Sequence, residues 1–331
     1  MKRTFYLFTS GALYRCDNTI CFEPLSGPKR YLPVEDTAEI VVFGELDLNK
    51  RFLEFCSRNE ILLHFFSHEG YYQGSYYPRE HLASGALLLV QAEHYLDEKK
   101  RLTLARSFVE GASRNILRVM KYYQARGKDL SASIDSIESL QTSIPHADGI
   151  APLMAFEGNI REMYYKGFDT IVGLPDFVFE GRSRRPPRNE LNALISFGNS
   201  ILYSICLSEI YRTHLDPRIG YLHATNLRRF TLNLDVAEIF KPLIVDRVIF
   251  TLLGRGMLKV GDFERGTGGI MMKESARKTF VQQMEEKLHT TIDHREIGHP
   301  VSYQRLIRLE LYKLEKHLLG DKVYEPFLAT W

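Results

Sequence analysis

The sequence has few cysteines, no marked excess of either charge and no long hydrophobic run. Its four cysteines lack the close pairing of a structural zinc site and are too few to cross-link 331 residues, so we expect them to be reduced. Lysine and arginine total 43 against 41 for aspartate and glutamate. The whole molecule therefore lacks the strong positive field of many nucleic-acid-binding proteins, and any contact with a polyanion must come from local basic patches.

Membrane-directed segments are missing as well. No eighteen apolar residues run together, which predicts that no helix spans a membrane. The first residues only faintly resemble a signal peptide, because Thr9, Ser10 and Gly11 interrupt the apolar run. We expect a cytoplasmic protein with no membrane contact.

The composition is that of a folded globular protein, with 44% hydrophobic and 25% charged residues. Up to about residue 78, short apolar clusters alternate with turn signals, which predicts a strand-rich unit interrupted by one helix. Beyond that point the apolar residues follow a helical period. The sequence thus predicts an α+β protein, with a small β-roll-like or sandwich-like domain over 1–78 and an all-helical domain over 79–331.

A glutamate lies on the apolar face of a predicted helix. Helical spacing places Glu157 on the same stripe as Leu153, Ile160 and Tyr164. Because a buried carboxylate without a partner is very costly, Glu157 needs a cation. The sequence leaves two candidates: Arg161, one turn along the helix, in a structural salt bridge, or a bound metal ion.

A second polar group follows further along the chain. A loop that carries His223 leads to a helix that begins near Thr231, a plausible N-cap. On this helix Asp235 and Glu238 project to the same side, with Lys241 a further turn along. One imidazole with two or three carboxylates suits Mg²⁺ or Mn²⁺ better than Zn²⁺. The alternative is a surface helix with solvated charges.

Two basic segments are candidates for contact with a nucleic-acid backbone. Residues 182–188 contain four arginines, including Arg184 and Arg185, and prolines that keep the segment extended. Arg228 and Arg229 directly precede the helix of the two acids. The alternatives are a solvated linker for the first segment and plain surface charge for the second.

Three strings of residues resemble the signature blocks of one family, the integrases of CRISPR adaptation. They are Glu157-Gly-Asn-Ile-Arg, Gly220-Tyr-Leu-His, and the run from Leu234 to Arg247, in matching order and spacing. Residues 42–55 and 70–80 resemble the strand domain of the same family. The resemblance covers essentially the whole chain.

The resemblance implies a strand-rich dimerisation domain followed by a helical catalytic domain. It implies that Glu157, His223 and Glu238 hold a divalent ion, Mg²⁺ or Mn²⁺, and that Asp235 either orients the site or joins it. Lys241 takes a basic position where the family often has arginine, and it is a further candidate for contact with DNA. For His223, we favour a ligand role over that of a general acid or base.

The implied function is CRISPR spacer acquisition, in which the 3′-hydroxyl ends of short DNA fragments are joined to the repeat array by transesterification. With water as the nucleophile, the same site is an endonuclease. The implied partners are double-stranded prespacer DNA, the CRISPR repeat target, a second copy of the chain, and the small ferredoxin-like CRISPR-associated protein "Cas-two". Two other readings are a non-catalytic DNA-binding scaffold of a nucleoprotein complex and a hydrolase of small phosphate esters.

Overall fold

The structure is a computed structural model that describes residues 2–80, 82–225, 230–266, 269–294 and 297–330. The chain divides into two compact units, Met1–His81 and Leu82–Trp331. That the first unit mediates dimerisation stays a prediction.

The first unit is built from two four-stranded sheets and one α-helix. Its elements are β1 (Arg3–Leu7), β2 (Gly11–Cys16), β3 (Thr19–Pro24), β4 (Arg30–Pro33), β5 (Thr37–Val42), β6 (Leu46–Leu48), α1 (Lys50–Arg58), β7 (Leu62–Phe66) and β8 (Tyr72–Tyr76). One sheet has the order β1-β5-β7-β8, in which only β7 and β8 pair antiparallel among the described strands. The other has the order β4-β3-β2-β6, in which β2 and β6 pair parallel.

One hydrophobic core joins both sheets and the helix. Alternation along the strands directs Ile40 of β5 and Leu63 of β7 into this core. Helix α1 adds Phe52, and Asn49 caps the helix by accepting the N–H of Phe52 at 3.0 Å. The predicted strand-rich unit with a single helix is confirmed.

The second unit is mainly helical. Its α-helices are α2 (Gly85–Leu96), α3 (Glu98–Gln124), α4 (Ser131–Ser143), α5 (Ile150–Lys166), α6 (Phe168–Val172), α7 (Glu190–Tyr211), α8 (Leu232–Phe240), α9 (Arg247–Gly254), α10 (Glu274–His289) and α11 (Tyr303–Leu318). Two hairpins pair β9 (Phe263–Gly266) with β10 (Gly269–Met272) and β11 (Thr291–His294) with β12 (His299–Ser302). These hairpins correct the expectation of an all-helical unit, since strands of four residues are too short for period-2 alternation to stand out.

Helix α7 forms the centre of the helical unit. By length and composition this 22-residue helix is apolar enough to cross a membrane, but 83% of its most apolar window is buried inside the unit. Burial extends to polar side chains on it, such as Asn192, Ser204 and Glu209. A helix that is apolar on all sides and enclosed by other helices is a core helix.

Candidate active site

The carboxylate of Asp235 fixes the loop that carries His223. Asp235 is fully buried on α8, and its Oδ2 accepts the N–H groups of Tyr221 at 2.5 Å and Leu222 at 3.0 Å. Its Oδ1 accepts the N–H of His223 at 3.0 Å and lies 2.7 Å from the Nδ1 atom of the same residue. One carboxylate therefore holds three consecutive backbone groups and an imidazole.

This contact determines which ring nitrogen of His223 is available. With Nδ1 directed at a carboxylate, Nε2 is the nitrogen left for a metal ion or a proton. Burial disfavours the charged imidazole, but the hydrogen bond to Asp235 and the charges of Asp235 and Glu238 raise the pKa of His223 above its ordinary value. Of the two roles that the sequence allowed for Asp235, this geometry favours the orienting one.

Gly220 and Thr231 allow the loop to approach α8 closely. Thr231 is the N-cap residue, as predicted, but its hydroxyl makes no capping bond to the helix. Instead, the hydroxyl accepts the N–H of Gly220 at 2.9 Å and donates to the carbonyl oxygen of Arg218 at 2.8 Å. A Cβ atom at position 220 would lie 2.8 Å from Oδ2 of Asp235, so a larger residue cannot fit without a shift of the loop.

Glu157 and Glu238 lie on different helices and share one guanidinium group. Arg161 on α5 places its Nε 3.4 Å from Oε1 of Glu157, and its Nη2 pairs with Glu238 on α8. Lys241 also pairs with Glu238. The side chains of Glu157 and Glu238 are only 18% and 6% exposed. The structure thus brings two of the predicted ligands together through the arginine that the sequence offered as an alternative to a metal.

Opposite charges in this cluster stabilise each other. Burial disfavours the ionised form of Glu238, but Lys241, Arg161 and His223 outweigh burial and lower the pKa of Glu238 to about 2. Burial also opposes the charged form of Lys241, yet Glu238 raises the pKa of Lys241 well above its ordinary value. Both groups are therefore ionised at neutral pH.

Within the described ranges, no three His, Cys, Asp or Glu side chains lie close enough together to hold a metal ion. The donor chemistry still fits a divalent cation, because Glu157 and Glu238 share Arg161 and the imidazole of His223 is near enough to lower the pKa of Glu238. The Nη1 atom of Arg161 is buried without a hydrogen-bond partner, so this guanidinium is incompletely satisfied where it lies. Arg161 and Lys241 provide the positive charge that the two carboxylates need.

The sequence does not single out a further buried acid, Asp246. It ends a π-helical turn, Pro242–Asp246, in which its N–H donates to the carbonyl oxygen of Lys241 at 3.1 Å. Burial raises the pKa of Asp246 to about 7, against the opposing effect of Arg161. An acid inside the apolar run Leu-Ile-Val-Asp was the available signal. Single π-helical turns occur frequently at functional sites.

Asn192 anchors the beginning of the arginine segment. Its Oδ1 accepts from Nη1 of Arg182 at 2.8 Å and from the N–H of Ser183 at 3.1 Å. Its amide nitrogen donates to the carbonyl oxygen of Gly181 at 2.8 Å. The buried asparagine therefore holds one end of the segment against α7.

The predicted DNA-contacting residues fall into three groups. Arg184 and Arg185 are exposed, as a phosphate-binding loop requires. Lys241 is 6% exposed and paired with Glu238, so in this structure it is a buried counter-ion of that carboxylate. Arg228 and Arg229 lie outside the described residues. A role in DNA binding stays a prediction for all five.

Comparison with known proteins shows which family the chain belongs to. The family described as "CRISPR associated protein Cas1" matches residues 5–286. This chain belongs to the Cas1 family. A relative from Thermodesulfovibrio yellowstonii, named CRISPR-associated endonuclease Cas1 2, is 54% identical over 331 residues and is covered completely, as is this chain.

Solved structures agree with this assignment. A Cas1 protein from Thermotoga maritima aligns with a TM-score of 0.90 at 46% identity, covering 98% of this chain and 99% of that chain. A casposase bound to integration product aligns with a TM-score of 0.88 at 18% identity, covering 98% and 93%. A Cas6-RT-Cas1–Cas2 complex gives 0.86 at 17% identity, covering 100% and 36%. The last two establish likeness of fold alone. The predicted family and α+β class are confirmed, and the endonuclease names of the relatives bear out the predicted class of enzyme.

Proposed function

We propose that this chain is a divalent-metal-dependent DNA endonuclease and integrase that acts in CRISPR spacer acquisition. The observation that carries the proposal is the meeting of Glu157 from α5 and Glu238 from α8 at one guanidinium group, in a chain of the Cas1 family. Buried acids from separate helices that converge in this way are typical of a site that binds a cation.

Glu157, Glu238 and Nε2 of His223 would hold Mg²⁺ or Mn²⁺. When bound, such an ion supplies Lewis acidity toward a phosphate oxygen and offsets the charge that develops during displacement at phosphorus. Asp235 keeps the imidazole in one orientation through its contact with Nδ1. Arg161 and Lys241 place two permanent positive charges beside the carboxylates, where they favour an anionic transition state.

The proposed reaction is a transesterification. The 3′-hydroxyl oxygen of a short DNA fragment forms a bond to a phosphorus atom of the target strand, and the bond from that phosphorus to the target's 3′ oxygen breaks. The hydroxyl proton leaves to solvent and the departing oxygen gains one, so the number of phosphodiester bonds is unchanged. With water as the nucleophile, the same displacement is hydrolysis of the strand.

The proposed partners are a prespacer duplex, a CRISPR repeat target, a second copy of the chain and "Cas-two". One solved neighbour of similar fold is named as a complex of Cas1 with Cas2, which supports the choice of protein partner. The working compartment that we propose is the cytoplasm, where such DNA is found.

A non-catalytic DNA-binding scaffold is the second candidate. The observation that favours it is the completeness of the ion pairing, since Arg161 and Lys241 already neutralise the buried carboxylates. In that case the acidic cluster would hold α5 and α8 together and another subunit would perform the chemistry.

Strand transfer with a charge-neutral ligand variant separates the two candidates. A short duplex with free 3′-hydroxyl ends is incubated with a repeat-containing target and the small partner protein, in Mn²⁺ or in EDTA. We expect Glu157→Gln and His223→Ala to lose product, and Glu162→Gln to retain it, because Glu162 is an exposed acid on the same helix paired with Lys166. Product from Glu157→Gln equal to wild type, or none from wild type, favours the scaffold.

A further inference from the structure

A polar cavity of about 190 Å³ lies between α9 and α10. It is lined by Arg247, Val248, Thr251, Arg255, Gln283, Glu286, Lys287 and Thr290. None of the four predicted catalytic residues is among these lining residues, so the cavity is a different place in the helical unit.

Positive charge dominates the lining. Three cations, Arg247, Arg255 and Lys287, face a single acid, Glu286. The carboxylate of Glu286 accepts from the amide of Gln283 at 2.6 Å, and a neutral amide leaves its charge in place. In the described part of the chain, no carboxylate forms an ion pair with Arg255 or Lys287, so the lining keeps a surplus of positive charge.

Aromatic rings position two of these cations. The Arg247 guanidinium lies 4.1 Å from the ring centre of Tyr122 and 5.4 Å from that of Tyr123. The Nζ atom of Lys287 lies 3.9 Å from the ring centre of Tyr303. Cation–π contact holds a cation in place without neutralising it. The cavity therefore presents positive charges in fixed positions to a bound ligand.

Burial and a neighbouring like charge both disfavour the charged form of Lys287. Burial, followed by the charge of Arg247, lowers the pKa of Lys287 to about 8. The other charged groups of the cavity are Arg255 and Glu286. An anion beside Lys287 would favour its charged form, so binding of an anion at pH 8 would take up a proton.

We propose that this cavity binds a phosphate group and that the phosphate belongs to a DNA backbone. A guanidinium fork and an ammonium point charge on facing helices are the groups with which proteins bind tetrahedral phosphate oxygens. The choice of DNA over a free phosphate as the source rests on the proposed function. A backbone phosphate held here would position a duplex without reading its sequence.

The first test measures the salt dependence of DNA binding, using a duplex with blocked 3′ ends so that no reaction occurs. The variant carries Arg255→Gln together with Lys287→Gln. If one phosphate contact is lost, the slope of log K against log salt concentration becomes shallower by about 0.9. Lys316→Gln, which removes an exposed charge on α11, is the matched control and is expected to keep the wild-type slope.

The second test uses inorganic phosphate as the probe. We expect phosphate to raise the melting temperature of wild type and of Lys316→Gln but not of the double variant, and the wild type to take up protons from buffer at pH 8. Equal melting temperatures without phosphate check that the double variant folds.

The two tests together show whether the bound phosphate belongs to a DNA backbone or is a free phosphate group. A changed slope with lost phosphate stabilisation supports a backbone phosphate, and lost stabilisation with an unchanged slope supports a free phosphate group. Wild type that binds phosphate but no DNA refutes the proposed function and leaves the phosphate site standing. A double variant that matches wild type in both tests overturns the phosphate site.

Discussion

Two buried glutamates in the helical unit are both surrounded by cations, but in different ways. Glu209 of α7 is fully buried, and its Oε2 accepts from Nε of Arg308 at 2.5 Å. Its Oε1 accepts from the Gln304 amide at 3.1 Å and lies 3.4 Å from Nη1 of Arg212. These three partners of Glu209 are donors, and its two cations reach solvent: Arg212 is 20% exposed and Arg308 25%.

Glu238 of α8 is equally enclosed, but its surroundings contain further acceptors. Its cations, Arg161 and Lys241, are 10% and 8% exposed at their side chains. Arg161 is shared with a second carboxylate, Glu157, and the oriented imidazole of His223 is near enough to lower the pKa of Glu238.

Burial and ion pairing alone therefore do not distinguish the predicted metal ligand Glu238 from Glu209. Both glutamates satisfy those two criteria. A metal ion needs several acceptors, and of these two glutamates Glu238 is the one with a second carboxylate and an imidazole nearby.

Neutralising each glutamate in turn is the strongest way to break this comparison. We expect Glu238→Gln to lower the rate of metal-dependent strand transfer by about 100-fold or more, since loss of a ligand should cost at least as much as loss of an outer-shell partner. We expect Glu209→Gln to keep the rate per folded molecule near wild type and to lower the free energy of unfolding by about 1–3 kcal/mol. Single-turnover rates and urea unfolding measure the two effects, and equal losses of rate would contradict the distinction.

Removing the orientation of His223 sharpens the comparison further. Asp235→Asn keeps the shape of the side chain but loses the charge that faces Nδ1. We expect a fall of about 10–100-fold in metal affinity, seen as a higher Mn²⁺ concentration for half-maximal strand transfer. A purely structural role would lower the yield of folded protein at an unchanged Mn²⁺ midpoint, and that result would refute the orienting role.

The sequence could predict where the candidate site residues lie on their helices because local spacing carries that information. Helical period placed Glu157 on the inner face of α5, and Arg161 was a candidate partner from its position one turn away. The loop, its histidine and the helix beginning near Thr231 were also readable along the chain.

The partners of each acid could not be predicted from spacing. Asp235 and Glu238 lie three residues apart on one helix, yet Asp235 contacts the loop at 221–223 and Glu238 contacts α5. Which neighbour each side chain meets depends on long-range packing, which the local period of a helix does not contain. The burial of Lys241 beside Glu238 depends on long-range packing in the same way.

Asp246 differs from Glu238 in the direction of its pKa shift, because its pKa is raised and that of Glu238 is lowered. Burial raises its pKa to about 7, whereas an unfolded aspartate titrates near 3.9. Between these values only the folded state keeps the proton, so its contribution makes stability fall as pH rises from about 4 to about 7. Glu238, with its pKa lowered to about 2, acts in the opposite sense: its stabilising contribution grows as pH rises from about 2 to about 5 and is constant above that.

We therefore expect Asp246→Asn to remove part of the pH dependence of unfolding. Measured by urea unfolding in EDTA, the variant should gain stability relative to wild type between pH 5 and pH 8, on the order of a few kcal/mol. Asp135→Asn, at an exposed position of α4, is the matched control. An Asp246→Asn curve parallel to that of wild type would show that this carboxyl is ionised in the folded protein throughout the range.

The smallest expected effect concerns the close approach of the loop to α8. In Gly220→Ala the new Cβ atom would lie 2.8 Å from Oδ2 of Asp235 and 2.9 Å from the carbonyl oxygen of Thr231. Because neither group is the free end of a flexible side chain, the loop must move, and we expect a loss of about 1–3 kcal/mol in the free energy of unfolding. Gly254→Ala, at the end of α9 with no atom within 4 Å of the new Cβ, should not destabilise the protein. Equal free energies of unfolding for the two variants would mean that the loop can move to accommodate the new Cβ atom. Asp235 would then hold His223 less tightly than the hydrogen bonds indicate.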